Sequence, residues 1–207
     1  MIASPQAALA FWRAAGEDRW FKKDTAFDDE VRNHFLETYE AAAAGQLADW
    51  EQTAEGALAL TIVLDQFPRN MFRGDARTYA ADPLARAVAD RAIARGFDMQ
   101  VVPSDRQFFY LPLEHSENLA DQERCCALFA ATGDADLLKW AQQHSDISAG
   151  SAASRTATRC SAAGPRPRSK RSWMAAVSRA KPKAKGHAHG AIAARLTTGG
   201  GAPRMAA

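Results

Sequence analysis

Two short segments concentrate the side chains that could carry chemistry in this chain of 207 residues. The first spans residues 64–74, Leu-Asp-Gln-Phe-Pro-Arg-Asn-Met-Phe-Arg-Gly, and the second spans residues 110–117, Tyr-Leu-Pro-Leu-Glu-His-Ser-Glu. Each segment is predicted to lie at a helix boundary set by its proline. Together they supply an imidazole, carboxylates and guanidinium groups, which are the components of a pocket with an acid, a base and an anion-binding group.

These residues suggest two kinds of role. Glu114 and His115 are the catalytic candidates, since either could act as a general base. The candidate ligand-binding residues are Asp65, Arg69, Asn70, Arg73 and Glu117. The chain has neither the His-Glu-x-x-His pattern of zinc hydrolases nor a nucleophile elbow, and its three cysteines lack metal-ligand spacing. We therefore predict no metal site and no cofactor.

A structural role is the alternative for each of these residues. Asp65 closes the most apolar predicted helix, so its carboxylate is expected in a low-dielectric environment, with Arg69 or Arg73 as partner. For any single residue, a buried ion pair that fixes a helix crossing is favoured over catalysis. The two interpretations differ in whether Asp65, Arg69, Glu114 and His115 meet in space. An enclosed concavity favours a small ligand or an enzyme, and separate ion pairs under an open groove favour a scaffold.

The spacing of apolar residues predicts an all-α body that positions both segments. Apolar residues recur at intervals of three and four, as in the stripe Phe27, Val31, Phe35 and Tyr39, and no run alternates like a strand. Helices are predicted over residues 6–15, 25–44, 53–67, 82–95, 118–131 and 135–144, with residues 97–107 in a loop. Because the loops are short, successive helices are expected to pack as antiparallel hairpins.

Charge divides the chain into two parts near residue 147. All 24 acidic residues lie at or before Asp146, whereas 12 of the 26 lysines and arginines lie after it. We predict one helical domain over residues 1–147 and a basic, low-complexity, disordered tail over residues 148–207. The chain shows neither a leader pattern nor an apolar stretch long enough to span a bilayer, so a cytoplasmic protein without membrane contact is expected.

The two polar segments resemble a bacterial family called domain of unknown function family 924. The resemblance covers most of the body and also includes Phe11-Trp12, Trp20-Phe21, Trp50, Asp82, Gln122-Glu123, His144 and Asp146-Ile147. It implies an array of helices similar to tetratricopeptide (TPR) repeats and a polar site shared across the family. It does not imply a particular reaction.

The family pattern continues past residue 147 with a segment similar to Gly-Arg-Phe-Pro-His-Arg-Asn, which this chain lacks. A frame shifted by one base nevertheless permits that segment between Ser148 and Ala163. At Trp173-Met174 the shifted frame encodes aspartate, and at Ala180-Lys181 it permits a stop. We therefore interpret the residues after Ile147 as the product of a frameshift, which would leave the polar pocket incomplete and the domain marginally stable.

The sequence thus favours an uncharacterised TPR-like protein that binds a ligand or a protein partner through its polar site. One alternative is a hydrolase-like enzyme in which His115 or Glu114 is the base and Arg69 holds a small anionic substrate. A second alternative is nucleic-acid binding through the basic tail, and the near absence of stacking aromatic residues there argues against it.

Overall fold

The computed structural model describes residues 1–146, and these residues contain helices but no strand. The predicted all-α fold is confirmed for this part of the chain. The TPR-like arrangement stays a prediction, and the predicted disorder of residues 148–207 lies outside the described residues. No described helix is both long enough and apolar enough to cross a membrane.

Within residues 1–146, eight α-helices follow one another, with three short 3-10 turns between them. The helices are α1 (Pro5–Ala15), α2 (Glu17–Trp20), α3 (Thr25–Ala43), α4 (Ala54–Met71), α5 (Asp82–Ala94), α6 (Gln107–Glu114), α7 (Leu119–Thr132) and α8 (residues 135–146). The 3-10 turns are Ala48–Gln52, Ala76–Tyr79 and Pro103–Asp105. Helix α4 packs against α1, α3, α5 and α6, and α6 also packs against α5 and α7. Consecutive helices are therefore neighbours around a central α4.

The sequence of α4 explains its central position. Its residues are apolar on nearly every side, and 15 of its 18 residues are buried. Thr53 caps the first turn by accepting a hydrogen bond from the Gly56 N–H. A Cβ atom on Gly56 would lie 2.1 Å from the Trp50 carbonyl oxygen, so only glycine allows the preceding turn to approach this closely.

Aromatic rings fill the space between α1, α3 and α4. The ring of Phe11 stacks on Phe27 and meets Phe35 edge-on, with centroids 5.7 and 4.9 Å apart. Trp12 packs on Phe67 of α4 at 5.7 Å. Because Phe27, Val31, Phe35 and Tyr39 are all buried, the stripe predicted for α3 is confirmed.

Both prolines that were predicted to set helix boundaries lie inside helices, so those boundaries were wrong. Helix α4 continues beyond Pro68 to Met71, and Pro112 lies within α6. The residues around each proline are buried, including Phe67 and Leu113. Tertiary packing therefore outweighs the local preference of proline to end a helix.

Two large apolar side chains near helix starts are exposed. Leu84 in α5 is 45% exposed and Leu119 in α7 is 40% exposed. Each lies in the first turn of its helix, where the chain enters from the surface. Further along the same helices, Val88 and Phe129 are buried in the core.

Candidate functional site

The end of α4 presents polar side chains to two different neighbours. Asp65 and Arg69 are one helical turn apart and face α5 and the end of α6. Asn70, one residue further along α4, and Arg73, two residues beyond its end, face the first turn of α3. One sequence segment therefore builds two separate clusters.

The first group, here called the His115 cluster, consists of Asp65, Arg69, Asp82 and His115. Asp65 Oδ1 lies 3.0 Å from His115 Nδ1 and 3.2 Å from Arg69 Nη1. Arg69 Nη1 also lies 3.1 Å from Asp82 Oδ1 and donates to the Asp65 carbonyl oxygen at 2.5 Å. Helices α4 and α5 thus meet at one guanidinium nitrogen, and the residue after α6 joins them through Asp65.

The carboxylates of this cluster are sealed inside the protein. Asp65 is 0% exposed, Asp82 is 1% exposed and His115 is 8% exposed. Burial by itself would raise the pKa of Asp65, but the Arg69 charge and the contact with His115 outweigh it and lower that pKa below its usual range. Burial also opposes the charge on Arg69, yet Asp65 and Asp82 raise the pKa of its guanidinium, so the arginine stays protonated.

The ionised Asp65 determines which nitrogen of His115 carries a proton. A carboxylate only accepts hydrogen bonds, so His115 Nδ1 must donate to it. In the neutral imidazole, the lone pair is then on Nε2. His115 Nε2 makes no hydrogen bond with residues 1–146 and is not among the sealed polar atoms. A carboxylate that orients an imidazole in this way leaves Nε2 ready to accept a proton.

Arg69 has unused donors as well. Its Nε and Nη2 atoms are buried and have no acceptor within the described part of the chain. These two atoms form the edge of the guanidinium that faces away from Nη1, and their N–H bonds are nearly parallel. The His115 cluster therefore combines satisfied ion pairs with two groups that the described residues do not use.

The second group, here called the Asp28 clamp, consists of Asp28, Asn70 and Arg73. Arg73 donates from Nε and Nη2 to the two Asp28 oxygens at 2.7 and 2.8 Å, and Asn70 Nδ2 donates to Oδ1 at 2.8 Å. The hydrogen bonds with Asp28 raise the pKa of Arg73 more than burial lowers it. The clamp fastens the start of α3 to the end of α4, which is a structural role.

The remaining predicted site residues lie elsewhere. Glu114 Oε1 contacts His144 Nε2 at 3.1 Å, which joins α6 to α8, and both side chains are buried. Glu117 is exposed and has no hydrogen bond or ion pair with the other residues described. The structure thus brings together Asp65, Arg69 and His115 but places Asn70, Arg73, Glu114 and Glu117 outside that group.

Asp82 belongs to the His115 cluster but was not among the predicted site residues. It precedes Pro83 and begins α5, where an acidic residue is ordinarily explained by the helix dipole. Its complete burial is a tertiary feature that local sequence does not reveal. A conserved acidic residue at a buried helix start is the kind of signal that could have identified it.

Other features of the described residues do not add to this site. Residues 1–146 contain no group of three or more potential metal ligands close enough to hold an ion. A shallow apolar cleft of about 120 Å³ lies between α3, α4 and α5, and its lining includes Leu60, Leu64, Leu84 and Val88. None of the four residues of the His115 cluster lines this cleft.

Comparison with known proteins places the chain among proteins without an assigned activity. A family model described as "Bacterial protein of unknown function (DUF924)" matches residues 8–149. A solved structure of a protein of unknown function from Agrobacterium tumefaciens shares 47% sequence identity, with a TM-score of 0.67. That match covers 69% of this chain and 81% of the Agrobacterium chain. No curated protein matches the chain.

Proposed function

The chain belongs to the bacterial family of unknown function DUF924, and we propose that it binds a small molecule at the accessible nitrogen of His115. The observation that carries this proposal is the contact of 3.0 Å between Asp65 Oδ1 and His115 Nδ1, which orients the ring and leaves Nε2 without a partner among residues 1–146. Asp65 and Arg69 support the site from behind. A cytoplasmic location is part of this proposal.

The burial of the cluster favours a small molecule over a protein partner. A protein partner is recognised mainly through an exposed patch with large anchoring side chains. His115 is only 8% exposed and the two carboxylates behind it are sealed. Because Nε2 is not sealed but the residue is largely buried, a small ligand can reach this atom, whereas the flat surface of a second protein cannot.

The same geometry favours proton transfer as a second candidate function. An imidazole held at Nδ1 by a carboxylate is suited to act as a general base through Nε2, because the carboxylate stabilises the imidazolium that forms. His115 is thus the stronger of the two catalytic candidates. Glu114 is the weaker one, since its carboxylate is directed towards His144.

Thermal-shift and ligand-observed NMR screens against a metabolite library test the binding proposal. A ligand that binds His115 should stabilise the wild type, by about 2.7 kcal/mol at a concentration 100-fold above its Kd. The His115→Gln variant should lose this stabilisation. His34→Gln is the matched control, because His34 Nδ1 likewise contacts an oxygen atom, the backbone oxygen of Glu30 at 2.8 Å, but its side chain is exposed.

Two outcomes of that screen would count against the proposal. A ligand whose stabilisation survives in His115→Gln binds somewhere else on the protein. Equal losses in His115→Gln and His34→Gln would point to a general effect of removing an imidazole. The proton-transfer candidate is tested by assaying each ligand found for hydrolysis or isomerisation. The reaction rate should fall at least about 100-fold in the His115→Gln variant.

We also propose that the residues after Ile147 come from a shifted reading frame and that the native segment completes the site. Two observations support this: acidic residues stop at Asp146, and the family match stops at residue 149. Resequencing the gene across codon 147 tests it. A DNA sequence that confirms the present reading frame would overturn the proposal. Residues 148–207 would then be a genuine basic tail.

A further inference from the structure

We propose that Gln66 is a positioning residue of the His115 site, because its amide fixes the carboxylate that orients the imidazole. This inference rests on the proposed function, since it adds a residue to the same site. Gln66 Nε2 lies 2.5 Å from Asp65 Oδ2, and His115 Nδ1 lies 3.0 Å from Asp65 Oδ1. The Asp65 carboxylate therefore joins the amide to the imidazole, and Gln66 acts on His115 through it.

The ionised Asp65 determines the orientation of the Gln66 amide. The pKa of Asp65 lies below its usual range, and an ionised carboxylate only accepts hydrogen bonds. The atom of Gln66 that contacts Oδ2 is therefore the amide nitrogen, which donates. Gln66 is only 4% exposed and Asp65 is fully buried, so bulk water does not replace this donor.

The two oxygens of Asp65 have different partners. Oδ1 accepts a hydrogen bond from His115 Nδ1 and lies 3.2 Å from Arg69 Nη1, whereas Gln66 supplies the hydrogen bond to Oδ2. The torsion that turns an aspartate carboxylate is broad, so surrounding groups must set its plane. Donors on one oxygen restrain the position of that oxygen and leave the plane free to tilt. The donor on the second oxygen removes this freedom.

The plane of the carboxylate controls the hydrogen bond with His115. A donor N–H prefers to lie near the plane of an sp² oxygen, along a lone-pair direction. When the plane tilts, the bond to the His115 Nδ1–H weakens, and the tautomer protonated at Nε2 becomes relatively more stable. That tautomer has no lone pair on Nε2, so it cannot accept a proton or a hydrogen bond from a ligand there.

A purely electrostatic role of Gln66 predicts the opposite change at the imidazole. Burial raises the pKa of Asp65, whereas Arg69, His115 and the Gln66 hydrogen bond lower it. Loss of the amide alone would thus make the carboxylate more basic. A more basic carboxylate in an unchanged orientation is a stronger acceptor and would hold the Nδ1 proton of His115 more firmly. The tautomer ratio of His115 therefore distinguishes positioning from compensation of a buried charge.

Replacement of Gln66 by methionine tests the positioning role. Gln66→Met keeps the length of the side chain and removes the donor to Asp65. Long-range ¹H–¹⁵N correlations of histidine-labelled, full-length protein give the ratio of the Nδ1–H to the Nε2–H form of neutral His115. This ratio should fall about tenfold in Gln66→Met, because a hydrogen bond to a charged group is lost from the acceptor of His115.

Gln107→Met is the matched control. Gln107 is also buried, at 7% exposure, and its Nε2 donates at 2.8 Å to the backbone oxygen of Ser104, outside the His115 cluster. Its replacement should leave the His115 ratio unchanged. Gln66→Asn provides a second variant if Gln66→Met does not fold. It keeps an amide that is one methylene group too short to hold Asp65 Oδ2, and the ratio should fall in the same direction.

The results separate this inference from the function on which it rests. An unchanged or higher ratio in the Gln66 variants would overturn the positioning role and leave the proposed binding at His115 intact. An equal fall in Gln107→Met would also overturn it, because any buried amide would then have the same effect. A fall confined to the Gln66 variants, without any library ligand at His115, would support positioning and overturn the proposed function. A wild-type ring protonated at Nε2 would overturn both.

Discussion

The His115 cluster and the Asp28 clamp are made from the same stretch of α4, yet they differ in what they leave unused. In the clamp, Asp28 accepts hydrogen bonds from Arg73 at both oxygens and from Asn70 at one. In the cluster, one edge of Arg69 and one nitrogen of His115 have no partner among the described residues. A polar group with completed bonds is explained by folding alone. A buried polar group with unused hydrogen-bonding capacity requires a partner from a ligand or from another part of the protein.

The two clusters also differ in their contact with solvent. The Arg73 side chain is 37% exposed, and water can solvate the ion pair that it forms with Asp28. The Arg69 side chain is 15% exposed, and both of its carboxylate partners are only 1% exposed at the side chain. The two arginines, four residues apart at the end of α4 and just beyond it, therefore allow a direct comparison of a sealed ion pair with a hydrated one.

Replacement of Arg69 by methionine should have the largest effect on stability. Arg69→Met retains most of the side-chain length but leaves Asp65 and Asp82 as buried carboxylates without their shared cation. Breaking a buried pair in this way is expected to lower the free energy of unfolding by about 3–5 kcal/mol. Urea unfolding followed by tryptophan fluorescence measures it. A loss below about 1 kcal/mol would show that the cluster is well hydrated in solution.

Acid should weaken the His115 cluster through Asp65. The pKa of Asp65 is lower in the folded protein than the unfolded value of about 3.9, so this carboxylate contributes stability above that pH. The contribution is lost as the pH falls through the folded pKa. Urea unfolding between about pH 6 and pH 2 should therefore show a steeper loss for the wild type than for Asp65→Asn. If the free energy of unfolding fell equally with pH in the wild type and in Asp65→Asn, the lowered pKa of Asp65 would be contradicted.

Replacement of Arg73 by methionine is the matched test of the Asp28 clamp. Because Arg73 is more than a third exposed, solvent screens its ion pair with Asp28. Arg73→Met should lower the free energy of unfolding by about 1 kcal/mol, mostly through lost hydrogen bonds to Asp28. It should not change ligand binding at His115. A loss as large as that in Arg69→Met would remove the distinction between the two regions.

Loss of an exposed ion pair should have the smallest effect on the free energy of unfolding. Arg124 and Asp90 join α7 to α5, and both side chains are nearly half exposed. Arg124→Ala should change the free energy of unfolding by about 0.5 kcal/mol or less. A change above about 1 kcal/mol, measured in the same urea titration, would indicate that surface charges contribute more here than solvent screening allows.

Six of the eight α-helices in residues 1–146 and one half of the candidate site could be predicted from the sequence, whereas α2 and α6 were not predicted. Periodicity identified the buried stripe of α3 and the helix α4 that is apolar on nearly every side, because both depend on local spacing. The pairing of Asp65 with Arg69 was also foreseeable, since residues four apart on a helix are neighbours. These features follow from contacts within one helix.

The other half of the site depends on contacts between helices that no local pattern encodes. Nothing in the neighbourhood of Asp82 shows that it meets Arg69, or that adjacent Glu114 and His115 face different partners. The continuation of α4 through Pro68 likewise results from tertiary packing around Phe67 and Met71. The sequence identified the residues that could bind a ligand or transfer a proton, but it could not determine which of them lie close together in the fold.

The protonation of His115 provides the most direct test of the account. Long-range ¹H–¹⁵N NMR correlations of selectively labelled histidine distinguish a protonated ring nitrogen from one with a lone pair. The neutral His115 should carry its proton on Nδ1, bonded to Asp65, and its bare Nε2 should be the nitrogen that responds when a ligand binds. A neutral ring protonated at Nε2, or an Nε2 unaffected by any bound ligand, would contradict the central claim.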